Sequence, residues 1–309
     1  YSGTIPVDRD SIVTNNAFKF PHLGCGYEFA NSLSIDDIKF KGTIVDIDSM
    51  GVCNCGEVEE NRRVDTSRTI LVTTYSPELW RIVNVTNRIS NNFYAETILK
   101  MIGKKVSGCG SYDSSMVAIK RVIRDSLKIN MTGYKNNDGS GLSRENYVSP
   151  NFFCNYYSAI AKNGIFVKFF ESLPVCGGPG TLKTVLRNAP SNLRDRIHAK
   201  SGSLSNVRCY AGYVEEGESM QMAPEEKKLI KFAILVNNYD ANTSRVQPKI
   251  EGFMRALAEI SPTSTLPPDF STSSIVLILI IAPWAFENCD GYADEYRSIS
   301  RIRSLLITE

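Results

Sequence analysis

The sequence predicts a mixed α/β (α+β) domain whose antiparallel sheet is covered by helices. Three observations carry this. Apolar residues recur at helical spacing through the middle of the chain. Two alternating, β-branched segments, Val207–Glu215 and Lys228–Asn237, follow each other with no helix between them, so they should pair antiparallel. A closing amphipathic segment, Gln247 to Ile260, then places Ile250, Phe253, Met254, Leu257 and Ile260 on one face.

In chain order, Tyr27 to Leu33 reads as a short helix, and Gly42–Val45 and Thr69–Thr74 as strands. Ser76-Pro77-Glu78 is a helix-start signal, with Ser as N-cap and Pro at the first helical position, for a helix reaching about Arg88. A second helix is expected from Asn92 to Ile102, stopped by Gly103, and a third from Ser114 to Leu127. Asn136 to Gly141 has turn composition. Ser149-Pro150 starts a helix to about Ala161, and Phe166–Ser172 forms another. Residues 261–274 are rich in Pro, Ser and Thr, as linkers are. The expected organisation is residues 1–75 as the end of an inserted β-rich domain, 76–260 as the main domain, and 261–309 as linker and unassigned tail.

Composition excludes several classes. Of 309 residues, 42% are hydrophobic and 22% charged, which is ordinary for a globular protein and wrong for a disordered or fibrous one. Lys plus Arg total 35 against 33 Asp plus Glu, so nucleic acid is not an expected partner. The longest apolar run, Ile275 to Phe286, is broken by Pro283 and falls short of the ~20 residues a membrane span needs. Cys53 and Cys55 form a C-x-C pair far in sequence from both histidines, so no metal is expected. The N-terminus has no signal-peptide pattern and no Met, which reads as a fragment.

Three segments carry the candidate chemistry: Ser90-Asn91-Asn92, Asp138 to Arg144 (D-G-S-G-L-S-R), and Lys200-Ser201-Gly202-Ser203 leading into Leu204. Singly, such segments are usually a helix cap, a turn and a solvated surface. In this order they match the S-x-N and K-T-G elements of active-site serine acyltransferases. The chain resembles the D-alanyl-D-alanine carboxypeptidase/endopeptidase family, the low-molecular-mass class C penicillin-binding proteins. The resemblance covers about Tyr27 to Ile260. Phe169 to Pro174 with Gly177–Leu182, and Ala199 to Leu204 with Ala211–Val214, look like further landmarks of that family.

The resemblance implies the C-terminal part of a penicillin-recognising serine transpeptidase/β-lactamase-like fold. It also implies hydrolysis of D-Ala-D-Ala bonds in peptidoglycan stem peptides, acylation by β-lactams, a periplasmic or extracytoplasmic location, and no cofactor. The implied catalytic residues are Ser90 as proton relay, Asn92 on the substrate's peptide carbonyl, and Lys200 near its carboxylate. The implied substrate-binding residues are Ser201, Gly202 and Ser203, with the Ser203 N–H as one oxyanion donor, and Leu142, Leu204 and Ser140. Leu142 and Leu204 read equally as core, and Ser140 as a turn residue.

Two departures matter. Ser201 stands where the family has Thr, and no lysine has a serine three residues before it, so the S-x-x-K nucleophile motif is absent from these residues. Two rival readings are a non-catalytic peptidoglycan-binding remnant and a β-lactamase. Lys200 is expected to be a protonated carboxylate anchor with an ordinary lysine pKa. The tail beyond Ser261 is expected to be dispensable for the cleft.

Overall fold

The computed structural model describes residues 20–45, 73–217, 221–259 and 277–281. The chain forms two compact units, residues 1–69 and 70–309. In the first, α1 spans Pro21–Ile35 and starts earlier than the sequence pattern indicated. Residues 42–45 do not form the expected strand. Residues 69–72 of the other early strand, and the Cys53/Cys55 pair, lie outside the described residues.

The second unit is helical first. Its elements α2 (Leu79–Ile89), α3 (Asn92–Ser107) and α4 (Tyr112–Arg121) precede a π-helical turn at Val122–Ser126. Ser76 does not cap α2. Glu78 holds that position, and its carboxylate accepts the Trp80 indole N–H at 2.7 Å. Gly103 does not stop α3 either. It is buried inside the helix, where a Cβ would come within 2.2 Å of the Ser115 hydroxyl of α4. Glycine is needed there for close helix crossing, not for termination.

A two-stranded ribbon, β1 (Tyr134–Lys135) and β2 (Tyr147–Val148), brackets the D-G-S-G loop. The start signal at Ser149-Pro150 holds. In α5 (Pro150–Ile160) the Ser149 hydroxyl accepts the Phe152 N–H at 3.1 Å, and Pro150 sits in the first turn. Then come α6 (Phe166–Ser172), α7 (Ser191–Arg194), β3 (Ile197–Leu204), β4 (Val207–Glu215), β5 (Leu229–Asn237) and α8 (Thr243–Glu259).

The sheet order is β3-β4-β5-β6, with β3/β4 and β4/β5 antiparallel as expected. The strand β6 (Leu277–Ile281), within the unassigned tail, pairs parallel with Phe232–Val236 of β5. Most of β4 and β5 is buried on both faces. Ile230, Phe232, Ile234 and Val236 pack against Val246, Ile250, Met254 and Leu257 of α8. Leu229, Ala233, Ala211 and Tyr213 pack against Tyr157, Phe166 and Phe170 of α5 and α6. Each fully buried side chain of this size contributes roughly 1.5–3 kcal/mol. The two layers hold the β3–β4 hairpin rigidly, and β3 carries the candidate site.

Candidate functional site

The site is assembled at the corner between α2 and α3. Ser90 is the C-cap of α2 in the left-handed region (φ 55°), and its N–H donates to the Thr86 carbonyl. The next residue, Asn91, already caps α3, with its side chain accepting the Tyr94 N–H at 3.0 Å. The S-x-N triplet is therefore a double cap. It makes a tight corner that leaves Ser90 and Asn92 exposed. Left-handed backbone at a non-glycine residue is costly and persists only where surrounding structure holds it.

That hold comes from the Gly177–Leu182 segment. Thr181 N–H donates to the Arg88 carbonyl at 2.9 Å, two residues before Ser90. Gly180 (φ +113°) lets the chain approach: a Cβ there would lie 2.4 Å from the Arg88 carbonyl oxygen. The same segment reaches β3, because the Ser201 hydroxyl donates to the Thr181 hydroxyl at 3.0 Å. Sequence reasoning marked this segment as a landmark but missed Gly180 and Thr181 as the brace. A glycine-rich run beside a Thr was the available signal.

On β3, Lys200 Nζ donates to Ser90 Oγ at 2.7 Å and to the Ser201 carbonyl at 2.8 Å. Burial pushes the Lys200 ammonium down to about 8. This corrects the expectation of an ordinary lysine. The ammonium sits against the sheet and is stripped of much of its water.

Along β3, Ala199 N–H points away from β4 to the Pro174 carbonyl (2.9 Å), and Ile197 C=O accepts Cys176 N–H (3.1 Å). The strand's period of two therefore turns the N–H groups of Ser201 and Ser203 to that same outer edge. Ser203 and Gly202 are exposed, and Leu204 ends the strand half-buried.

The D-G-S-G loop is built by two carboxylates. Asp138 accepts N–H bonds from Gly141 (2.9 Å), Ser143 (2.6 Å) and the Asn146 side chain (2.7 Å). Glu96 of α3 accepts the Ser140 hydroxyl (2.6 Å) and the N–H groups of Ser140 (3.0 Å) and Gly139 (3.1 Å). Ser140 is thus engaged within the loop, while Leu142 is 52% exposed at its tip and is not core. Glu96 was not anticipated, because nothing in its helical position marks it from sequence.

Among the described residues, no group of three His, Cys, Asp or Glu side chains could hold a metal, and no helix is long and apolar enough to cross a membrane.

Residues 2–259 match the D-Ala-D-Ala carboxypeptidase 3 (S13) family. The chain belongs to that family. It is 30% identical over 173 residues to the penicillin-sensitive carboxypeptidase A of Dictyostelium discoideum, which covers 55% of this chain and 32% of the relative. It is 28% identical over 224 residues to a D-alanyl-D-alanine carboxypeptidase of Actinomadura sp., covering 70% of this chain and 39% of that one. The S13 chain therefore spans about a third of the length of these curated relatives. Among solved structures, penicillin-binding protein 4 (dacB) of Haemophilus influenzae is similar at 24% identity and a TM-score of 0.49, over 57% of this chain and 38% of that one.

Proposed function

We propose that this chain contributes the recognition wall of a serine-type D-Ala-D-Ala carboxypeptidase/endopeptidase site that acts on peptidoglycan stem peptides and takes β-lactams. The observation that carries the reading is the 2.7 Å contact between Ser90 Oγ and Lys200 Nζ, residues from two motifs 110 positions apart. The activities named for the S13 relatives support it.

In this reading Lys200, charged at neutral pH, draws in the substrate's terminal carboxylate. The Ser203 hydroxyl bonds that carboxylate, and the Ser201 hydroxyl turns its one O–H from Thr181 to join it. Ser90 passes a proton to the departing amine, and Asn92 bonds the peptide carbonyl. The outward N–H of Ser203 supplies one donor of the oxyanion hole. Leu142 and Leu204 form the slot for the penultimate side chain. Nucleophile and base would come from an S-x-x-K motif, which these residues do not contain. The substrate places the work outside the cytoplasm, in the periplasm or at the cell surface.

Titration calorimetry with an N-acyl-D-Ala-D-Ala peptide and its L-Ala-L-Ala counterpart tests the reading. The D,D peptide should bind and the L,L peptide should not, and Lys200→Ala should abolish the difference. Equal binding of both peptides would overturn the proposal.

A further inference from the structure

We infer that Glu96 is the positioning residue that locks the 136–146 loop beside the site and so sets which penultimate side chain the site accepts. The inference rests on the peptidase reading above.

The geometry is specific. One carboxylate receives the Ser140 hydroxyl and two successive backbone N–H groups. Partial burial works against the charged form, yet these donors outweigh it and hold the carboxyl below its ordinary value. Gly139 allows no alternative seat. A Cβ there would lie 2.5 Å from the Ala95 carbonyl oxygen, so the loop backbone lies directly on the turn of α3 that follows Asn92.

Asp138 makes the loop stiff within itself, because its carboxylate bonds Ser140, Gly141, Ser143 and Asn146 of the same loop. Glu96 is the tie from that stiff loop to α3. The product of the tie is an exposed leucine, Leu142, on a fixed tip one residue beyond Gly141 (φ +80°). Leaving a leucine in water contributes nothing to folding. Holding it still prepares an apolar contact with a ligand, because the ordering cost is met before binding. The ligand class is an acyl peptide with a D-residue bearing a small apolar side chain next to its C-terminal D-Ala.

The test compares the chain with its Glu96→Gln, Ser140→Ala and Leu142→Ala variants in two measurements. One is hydrogen exchange at the Gly139 and Ser140 amides. The other is the affinity ratio for N-acetyl-D-Ala-D-Ala over N-acetyl-Gly-D-Ala. Gln turns an amide donor toward one of the loop's donors, so Glu96→Gln should speed exchange about 10-fold or more, the loss of one charge-assisted bond. It should also bring the affinity ratio toward one. Leu142→Ala should lower the ratio equally while leaving exchange unchanged. Ser140→Ala, which removes the 2.6 Å hydroxyl bond to Glu96 and a longer 3.4 Å contact to Asp138, should move both measurements the same way by less, and it serves if Glu96→Gln does not fold.

Unchanged exchange in Glu96→Gln would overturn the inference, whatever the peptides do. Faster exchange with an unchanged ratio would also overturn it, leaving Glu96 a scaffold bond only. If the wild-type chain binds neither peptide, the peptidase reading fails and the specificity role with it. Exchange then still decides whether Glu96 holds the loop.

Discussion

Lys200 donates a 2.7 Å hydrogen bond to Ser90 although 110 residues separate them, and the two are held there by different devices. Lys200 is fixed by the register of β3 against β4, opposite Ala211. Ser90 is fixed by its place in a helix corner braced by Gly180 and Thr181.

The first prediction concerns acylation. This chain, as 309 residues without S-x-x-K, should give no stoichiometric penicillin adduct. Ser90 is a hydroxyl with a lysine partner of lowered pKa. At pH 7, however, a group of pKa about 8 is still about 90% protonated and a poor base. Intact-protein mass spectrometry after incubation with penicillin decides it: a full-occupancy adduct mapped to Ser90 would make Ser90 a nucleophile, not a relay.

A second prediction isolates the brace. Gly180→Ala must either abandon φ +113° or push its Cβ toward the Arg88 carbonyl, 2.4 Å away. The expected loss is about 1–3 kcal/mol of stability, read from denaturant midpoints. Because the displaced carbonyl lies two residues before Ser90, D,D-peptide affinity should fall as well. Wild-type affinity in a destabilised variant would show that the brace does not place Ser90.

The third prediction concerns the far end of β3. Buried Glu215 accepts His198 Nε2 at 2.8 Å and Lys227 Nζ at 2.5 Å. Burial opposes its charge, but these two partners hold its carboxyl below the usual range. A lowered carboxylate pKa contributes stability that is fully present above the unfolded carboxylate range and is lost as pH falls from there through the lowered folded value. Glu215→Gln leaves Lys227 without its buried carboxylate and should cost about 3–5 kcal/mol. Thermal melts on descending from pH 7 into acid check both parts: the gap between wild type and variant should be full at neutral pH and narrow as acid protonates Glu215.

Truncation after Glu259 is the fourth. The sequence reading expected the tail to be dispensable for the cleft, and none of the cleft residues described above lies in it. Yet β6 pairs with five residues of β5, and removing it uncovers a sheet edge. Truncation should lower the melting temperature and raise aggregation while leaving peptide binding measurable in the folded fraction. Loss of binding without loss of stability would contradict this division.

Local signals were legible and tertiary ones were not. Ser149-Pro150 announced α5 because capping is a matter of adjacent residues. The β4–β5 pairing was legible because alternation and the absence of an intervening helix are local facts. Gly103 was misread as a stop because its reason, contact with Ser115, lies on another helix. The motif residues of the site could be named from their order, but the lowered pKa of Lys200 arises from burial in the folded sheet. The roles of Glu96 and Gly180 arise from contacts with segments 44 and 92 residues away, which no local pattern displays.

The central claim is that Lys200, poised against Ser90, recognises a peptide carboxylate. The most direct measurement is the affinity of an N-acyl-D-Ala-D-Ala peptide from pH 6 to pH 10. Because burial lowers the Lys200 pKa to about 8, its charge is costly to the folded protein below that value, and the cost disappears as pH rises through the window from about 8 to about 10.4. Affinity should move the opposite way: constant below pH 7, then falling with a midpoint near 8 while the protein itself becomes no less stable. A profile flat to pH 10, or one unchanged in Lys200→Ala, would contradict the account.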